Sequence, residues 1–573
     1  MRVVVPVRVG VTCVLGLTAA LSLGSRILAE PMIDIDPCYS HIKTFSVVYF
    51  SPSSALSNWM GTHMDAVIGD PGTTASYNPD LLTFNYDLTT VTVNNTSKYN
   101  SLVSAAAVAA IDIEDLCLHF SQDTQVRMPT YTGSGVYETR TVPGWNPNWK
   151  PGDPPASATS RRQARIPNWT WGSDEFVMSV ANPWYRNWSA QWMVNQVVGS
   201  RSGVMHDVAS ADVPLPEIVS GGGIWEYRGM TASQRQTAWR QDLSDMLGTC
   251  KTALNNQNQP KYLMANTCGT GDLYAGAIDI MLDEIWISSR QELAWYQQTN
   301  SIYGSNMLDY IVRADRAGRT VLVQAWGQYD RTPFSSLGGL SKERDQNYCL
   351  AAYYIVKGDN TYFNWFYDNG AIYNVDPRTL WFGTEAVDIG QPVGEYTTVS
   401  GRAPNEGGYN YTIWERQFEK GFVLFRPRSW WLGLIDDRSA VTVSLNGLYR
   451  VVANNGTLGP WLSQVAVRGN EGVILEGFRQ PTVVGDFDYS GLLDLGDYQD
   501  LAEAWGARTN DLTFNPWIDM DHDGLIGMSD YTAFAEMWAG PDVLPPAPGQ
   551  PVPEPVTFLL VGSGCVVLAR RWR

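Results

Sequence analysis

The sequence predicts an α/β fold: a (β/α)8 TIM-like barrel, then a small all-β domain, then a pair of calcium-type loop–helix repeats. Three observations carry that expectation. Short apolar runs alternate with amphipathic stretches from Phe45 to about residue 385, the rhythm of βα units. From about Glu395 the pattern changes to strand-like runs separated by turn residues. Near the C-terminus one acidic twelve-residue pattern occurs twice, 33 residues apart. A chain of 573 residues has room for a large core with appended modules, and 44% hydrophobic against 17% charged residues is a globular balance.

Residues 1–29 read as a secretory signal peptide. Arg2 and Arg8 precede an apolar stretch ending near Leu23, and small Ala29 stands before the cut. The barrel is assigned to 30–385. Its strands are expected at FSVVYF (from Phe45), MDAVIG (from Met64), LLTFNY (from Leu81) and GVMHDV (from Gly203). KYLMAN (from Lys261), IDIMLDE (from Ile278), TVLVQAW (from Thr320) and TYFNWF (from Thr361) complete the eight. Helices are expected from Thr231, a plausible N-cap, through Leu254, and over SKERDQNYCLAAYYIVKG from Ser341. EDLCLHF, ending at His119 and Phe120, is an extra strand-like run that disturbs the count. Residues 121–170, rich in Pro, Thr, Gly and Trp, read as an excursion over the barrel mouth.

Residues 386–480 are expected to form a small β-sandwich-like domain from TIWERQFEKGFVLFRP, SAVTVSLNGLYRVV and EGVILEG. Residues 484–541 hold the repeats. In DFDYSGLLDLGD, Asp486, Asp488 and Ser490 occupy loop positions 1, 3 and 5, Leu492 offers its carbonyl at 7, and Asp494 and Asp497 stand at 9 and 12. In DMDHDGLIGMSD the same places hold Asp519, Asp521, Asp523, Leu525 and Asp530, with Gly527 at 9, where water would replace a side chain. Gly491 and Gly524 permit the sharp bend that turns alternate oxygens onto one Ca²⁺. Matching helix starts, DYQDLAEAW and DYTAFAEMW, follow the loops. Residues 542–573 are a Pro-rich linker and a tail: Pro553–Glu554–Pro555, an apolar run of about 14 residues, then Arg570, Arg571 and Arg573. That run is shorter than the ~20 residues of a comfortable membrane span.

A formal charge of −18 argues against nucleic-acid binding and favours a neutral polymer or a cationic partner. The 23 Trp and 28 Tyr suit both sugar-ring stacking and the outer layer of a barrel. Cys13 lies in the signal peptide and Cys565 in the tail. The other five show no CxxC spacing. Export permits disulfides, and Cys250–Cys268, flanking one loop, is the pair to test.

In such barrels chemistry sits at the C-terminal ends of the strands. The fourth strand ends in His206 and Asp207, the sixth in Asp283 and Glu284, and the third reaches Asp87. His63, Asp65 and His119 are further candidates, more readily explained as structural groups. Glycosidic cleavage uses two carboxyl groups across the bond. Asp207 and Glu284 are the expected pair, Glu284 as proton donor and Asp207 as nucleophile or base, with the roles interchangeable at this level. Asp283 is the alternative to Glu284. His206 would hold a sugar hydroxyl or tune the neighbouring carboxylate.

Three resemblances follow from these residues. The duplicated loop–helix unit, with Asp at position 12 of both loops, resembles a dockerin type I module. That implies two structural Ca²⁺ ions and docking to a cohesin-type partner. The Pro-Glu-Pro, apolar and Arg-rich tail resembles a PEP-CTERM sorting signal, which implies processing by an exosortase and a secreted or cell-surface location. GVMHDVASAD, IDIMLDE, AAYYIVKGDNTYF and WERQFEKGFVLFRP together resemble glycoside hydrolase-like family 15, a TIM-barrel group. In that family the fourth and sixth strands end in an Asp and a Glu, here Asp207 and Glu284. No GxSxG elbow, P-loop, HExxH or dinucleotide fingerprint occurs. The expected function is a secreted glycoside hydrolase acting on a polysaccharide. The alternatives are a non-catalytic carbohydrate-binding protein on a degenerate barrel and a structural envelope protein.

Overall fold

The computed structural model describes residues 42–538, interrupted chiefly at 130–136, 169–174, 289–306, 328–340, 368–375, 403–409 and 428–439. The expected signal peptide, Cys38, Cys268 and the sorting tail lie outside the described residues. The chain divides into two compact units. One runs to Val443 and adds Arg450–Pro460 and Gln464–Glu476; the other takes Ser444–Tyr449, Trp461–Ser463 and everything from Gly477.

The first unit is built on eight parallel strands: β1 (Phe45–Val48), β2 (Ala66–Gly69), β3 (Leu82–Leu88), β4 (Gly203–Asp207), β5 (Tyr262–Asn266), β6 (Ile280–Ser288), β7 (Thr320–Gly327) and β8 (Thr361–Tyr367). They pair in chain order, and a bridge between Thr44 and Phe363 brings β8 back to β1. All eight expected runs are barrel strands. The lumen is filled by Phe45, Ile68, Phe84, Met205, Met264, Leu282, Leu322 and Tyr362, one buried residue from each strand. Strand side chains alternate, so the residues between them (Val204, Leu263, Ala265, Met281, Val321, Phe363) face the surrounding helices. Gly203 opens β4 because a Cβ there would lie 2.0 Å from the Tyr262 carbonyl on β5.

The helices form where caps and spacing coincide. They are α1 (Ser54–His63), α2 (Ser97–Val108), α3 (Pro183–Gln196), α4 (Ala232–Asn255), α5 (Met307–Arg316) and α6 (Lys342–Val356). Thr231 caps α4 through a reciprocal box: its hydroxyl accepts from the Gln234 amide (3.3 Å), and the Gln234 side chain accepts from the Thr231 amide (2.9 Å). Trp239, Leu243, Met246, Leu247, Cys250 and Leu254 form the buried stripe of α4. Cys250 lies in that stripe as a free thiol, and its expected partner Cys268 lies outside the described residues. Ser341 caps α6, which is buried from Gln346 to Val356 apart from Asn347. Its neighbours explain this: α6 packs against β7 and β8 on one side and a second sheet on the other.

Between β3 and β4 runs an excursion longer than the composition suggested. It holds α2, α3 and a ribbon of Val91–Val93 with Glu175–Val177. It also supplies two strands, Thr124–Pro129 and Tyr137–Val142, of a sheet completed by Glu217–Ser220. EDLCLHF is not a strand of its own. Asp112 accepts from the Glu114 amide (3.0 Å) and starts a 3-10 turn over Ile113–Leu116, after which Cys117, His119 and Phe120 make only isolated bridges.

The second sheet is antiparallel, ordered β9 (Thr397–Arg402), β10 (Asn410–Phe418), β11 (Gly421–Arg426), β14 (Glu471–Arg479), β12 (Val441–Val452), β13 (Leu458–Val467). It is one sheet rather than a sandwich, because α6 supplies the apolar cover that a second sheet would give. Tyr348 of α6 meets Phe425 of β11 at 4.9 Å between ring centroids.

In the second unit, α7 (Leu495–Glu503) and α8 (Met528–Met537) follow the two acidic loops and share a core of Phe487, Leu501, Phe514, Ile518, Ile526 and Phe534. Among the described residues no helix is long and apolar enough to cross a membrane.

Candidate active site at the barrel mouth

Four neighbouring strands each extend one lumen residue beyond the apolar layer. Two positions after Phe84, Met205, Met264 and Leu282 stand Tyr86, Asp207, Asn266 and Glu284, on β3, β4, β5 and β6. The same parity that fills the lumen aims these four at the mouth.

Asn266 joins the two carboxylates. Its Nδ2 donates to Asp207 Oδ1 (2.7 Å) and to Glu284 Oε2 (2.6 Å), and its Oδ1 accepts from the Glu284 amide (3.4 Å), which fixes the amide's orientation. The two accepting oxygens are therefore no more than about 5 Å apart. Asp207 Oδ2 accepts from the Tyr86 hydroxyl at 2.5 Å, and Oδ1 also accepts from the Val208 amide at 2.8 Å. Burial, then the adjacent Asp207 charge, push the Glu284 carboxyl up to about 8, against the Asn266 hydrogen bond. Glu284 is thus a carboxylic acid at neutral pH.

Just beyond Asp207 the backbone is strained. Val208 has φ +60, unusual for a β-branched residue. The Thr90 hydroxyl donates to its carbonyl (2.9 Å), and the Ala209 amide donates to the Asn266 carbonyl (2.9 Å). Farther along, the Trp239 indole and the Tyr274 hydroxyl hold the Ser210 carbonyl (3.0 and 3.2 Å). These bonds turn the chain away and leave Asp207 at the strand end.

His206 and Asp283 have the opposite parity and face the helix layer. His206 Nδ1 meets the Thr89 hydroxyl at 2.6 Å, its Nε2 has no hydrogen-bond partner, and burial followed by the Lys98 charge drives it down to about 3. Asp283 is fully buried, and neither carboxyl oxygen has a well-formed hydrogen bond. Burial raises it to about 8, with the Gly269 amide opposing. The structure therefore gathers Asp207 and Glu284 and places His206 and Asp283 behind the barrel wall.

The remaining candidates also lie off the mouth. Asp87 faces outward, paired with Lys98 (2.7 Å) and the Trp192 indole (3.1 Å). His63 ends α1 and stacks on Trp59 (4.4 Å), while Asp65 accepts from the Thr44 amide (2.7 Å), both at the opposite end of the strands. His119 lies between Glu226 (2.6 Å) and Glu114 (3.2 Å), and Arg165 holds Glu114 from the other side (2.7 Å).

Sequence reasoning missed Tyr86, Asn266 and Glu175. The first two carry no charge at neutral pH. Glu175 lies on the excursion ribbon, where Asn168 donates to it (2.8 Å); burial, and then the Asp207 charge, raise its carboxyl. It is a further carboxylate in electrostatic reach of Asp207, as Asp283 is of Glu284.

In the second unit Asp486, Asp488 and Asp497 bring one oxygen each within 4.8 Å of one another, as do Asp519, Asp521 and Asp523. Asp486 Oδ1 is buried without a hydrogen-bond partner. Asp497 and Asp530 are spent alike on backbone amides, accepting from Phe487, Asp488 and Asp494 in one loop and from Met520, Asp521 and Gly527 in the other. Ser490 accepts from the Leu492 amide (3.3 Å), and Asp494 caps α7 through the Gly496 amide (2.8 Å).

A parallel (β/α)8 barrel with two carboxyl groups at the mouth, on β4 and β6 either side of Asn266 on β5, is the arrangement of a glycoside hydrolase-like protein. The model of Hypothetical glycosyl hydrolase family 15 matches residues 123–422, just over half of the chain, and the chain belongs to that family. No curated protein matches the sequence. Among solved structures the chain is similar to the glycoside hydrolase domain of PelA from Pseudomonas aeruginosa, at 12% identity over 58% of this chain and 97% of that one (TM-score 0.29). It is also similar to a GH27 β-L-arabinopyranosidase from Geobacillus stearothermophilus, at 9% identity over 79% and 99% (TM-score 0.37). At these values the likenesses decide neither substrate nor mechanism.

Proposed function

We propose that this protein is an exported glycoside hydrolase that cleaves a polysaccharide with Glu284 as acid and Asp207 as nucleophile. The observation that carries the reading is the shared Asn266 amide, which joins a carboxyl pushed toward its protonated form by burial and the Asp207 charge to another that accepts three hydrogen bonds. Oxygens no more than about 5 Å apart suit the retaining geometry, where carboxyl groups lie ~5–5.5 Å apart, and leave little room for the water of an inverting enzyme.

In the first step Glu284 gives its proton to the glycosidic oxygen as the bond to the anomeric carbon breaks. Asp207 Oδ2, carrying one donor against two on Oδ1, attacks that carbon and forms a glycosyl ester. Glu284, now ionised, then takes a proton from water. The resulting hydroxide attacks the same carbon, releasing the sugar and restoring the Asp207 carboxylate. Tyr86 and Asn266 keep Asp207 aimed throughout.

The loops of the second unit are proposed to hold structural Ca²⁺. The fit is best at the first loop, where Asp486, Asp488 and Asp497 each bring one oxygen within 4.8 Å of the others and Asp486 Oδ1 is buried without a hydrogen-bond partner. Export by the N-terminal segment, sorting and exosortase processing of the tail, and a cohesin-type partner complete the reading as proposals resting on sequence resemblance.

The deciding experiment is reducing-sugar release from a glycan panel by the wild type, Glu284→Gln and Asp207→Gly. Release by the wild type alone, with azide returning a glycosyl azide from Asp207→Gly, supports the assignment. Unchanged release by both variants refutes it. Silence from all three with glycan binding retained favours a non-catalytic carbohydrate-binding protein.

A further inference from the structure

The second unit contains more than the two loop–helix repeats, and its contacts show what the repeats hold. It includes the strand segments Ser444–Tyr449 and Trp461–Ser463 and the end of β14 from Gly477. Both repeats reach that strand end. Tyr489, the fourth residue of the first loop, donates its hydroxyl to the Arg479 carbonyl (2.8 Å), and the Arg479 guanidinium lies 4.1 Å from its ring centroid. Trp517, two residues before the second loop, donates its indole N–H to the Phe478 carbonyl (3.2 Å). Between the loops, the Thr509 carbonyl accepts from the Trp461 indole (3.4 Å), and Phe514 lies 6.3 Å from the Trp461 ring.

The strand end is shaped for this contact. Gly477 sits at φ +144, and a Cβ there would meet the Leu448 carbonyl at 2.4 Å and the Trp461 ring at 3.1 Å. The Gln480 amide donates to the Asn446 carbonyl (2.8 Å), tying the strand end to its neighbour.

The two loops differ at one place. Tyr489 and His522 both occupy position 4, with nearly equal φ (+60 and +58), but His522 is exposed while Tyr489 is packed on Arg479. The left-handed φ is the loop's own: the chain must turn there for its carboxylates to converge. Asp488 and Ser490 flank Tyr489, so whatever fixes the loop fixes the aim of the ring.

We propose that the loop–helix pair is an intramolecular clasp: an ion in the first loop sets Tyr489 onto Arg479, and the module's resident partner is the end of its own chain's β14. The clasp rests on the calcium reading of the first loop. It goes beyond that reading by giving the bound ion a task outside the loops and by assigning the Tyr489 face an occupant. Coupling is reciprocal, so losing the clip must weaken the ion as much as losing the ion loosens the clip.

The test is hydrogen exchange on the full chain in Ca²⁺ and in EDTA, with Tb³⁺ luminescence competed by Ca²⁺ for affinity. Ca²⁺ is expected to protect the amides of 477–480 as well as those of 486–497. Tyr489→Ala is expected to abolish the protection at 477–480 and to weaken Ca²⁺ about three- to tenfold, the loss of one hydrogen bond and one cation–π contact. Tyr489→Phe, which keeps the ring and is safer for folding, is expected to lose two- to fivefold, and His522→Ala nothing. Protection confined to 486–497 and 519–530, with Tyr489→Ala within twofold of wild type, overturns the clasp and leaves the calcium reading standing. Absence of any Ca²⁺-dependent protection overturns both.

Discussion

Asp283→Asn tests the side-chain parity on which the site depends. Asp283 is fully buried with no well-formed hydrogen bond, and its carboxyl sits at about 8 against 3.8 for the ordinary group. The folded state therefore keeps a proton that the unfolded chain has released between those values. Stability must then fall as pH rises from about 4 through 8, because the unfolded state binds fewer protons in that window. At ~1.4 kcal/mol per unit, the shift corresponds to a loss on the order of 5 kcal/mol by pH 9, an upper figure because water entry relieves part of it. Asn has the same shape and no charge to bury, so the variant is expected to escape most of that loss. Calorimetric melting of both proteins between pH 6 and 9 should show the wild type falling several degrees more than Asp283→Asn. Because Asp283 is protonated at neutral pH and faces the helix layer, the variant is also expected to keep turnover within about threefold while Glu284→Gln loses it. Parallel melting curves would show that the carboxyl is not a buried acid. Lost turnover with an intact fold would return Asp283 to the catalytic pair.

Glycan hydrolysis should fall as pH rises through about 8, where the Glu284 proton leaves, so a basic limb well below pH 7 in kcat/KM would refute Glu284 as the acid. Asn266→Ala removes one donor from each carboxylate and should lower kcat/KM by ~10²–10³. Since that donor opposes the upward shift of Glu284, the variant's basic limb should move higher; an unshifted limb at undiminished rate would separate Asn266 from the pair. His119, held by Glu114 and Glu226, is raised above its ordinary value despite burial, so its contribution to stability is complete below about 6.5 and lost as pH rises through the folded value. Glu226→Gln should flatten the resulting pH dependence of melting above neutrality, and an unchanged slope would dismiss the network as its source.

How much of this was legible in the sequence depends on how each residue announces itself. The eight barrel strands were, because each needs one apolar lumen residue and its neighbours are apolar too. The pair Asp207 and Glu284 was legible as charge at strand ends. His206 and Asp283 came with them because adjacency in sequence says nothing about which side of the wall a residue faces. The β-sandwich expectation failed for another reason: α6, already counted as a barrel helix, covers the second sheet as well. Tyr86 and Asn266 stayed hidden because a search for titratable groups passes over a phenol and an amide. Yet a rule was available. Each site residue stands two positions after a lumen residue: Tyr86 after Phe84, Asp207 after Met205, Asn266 after Met264, Glu284 after Leu282. Strand alternation requires those positions to share a face, so identifying the lumen set from strand parity would have selected all four and rejected His206 and Asp283. Glu175 obeys no such rule. It belongs to a ribbon of the excursion, and its approach to Asp207 is set by tertiary packing that no local spacing encodes.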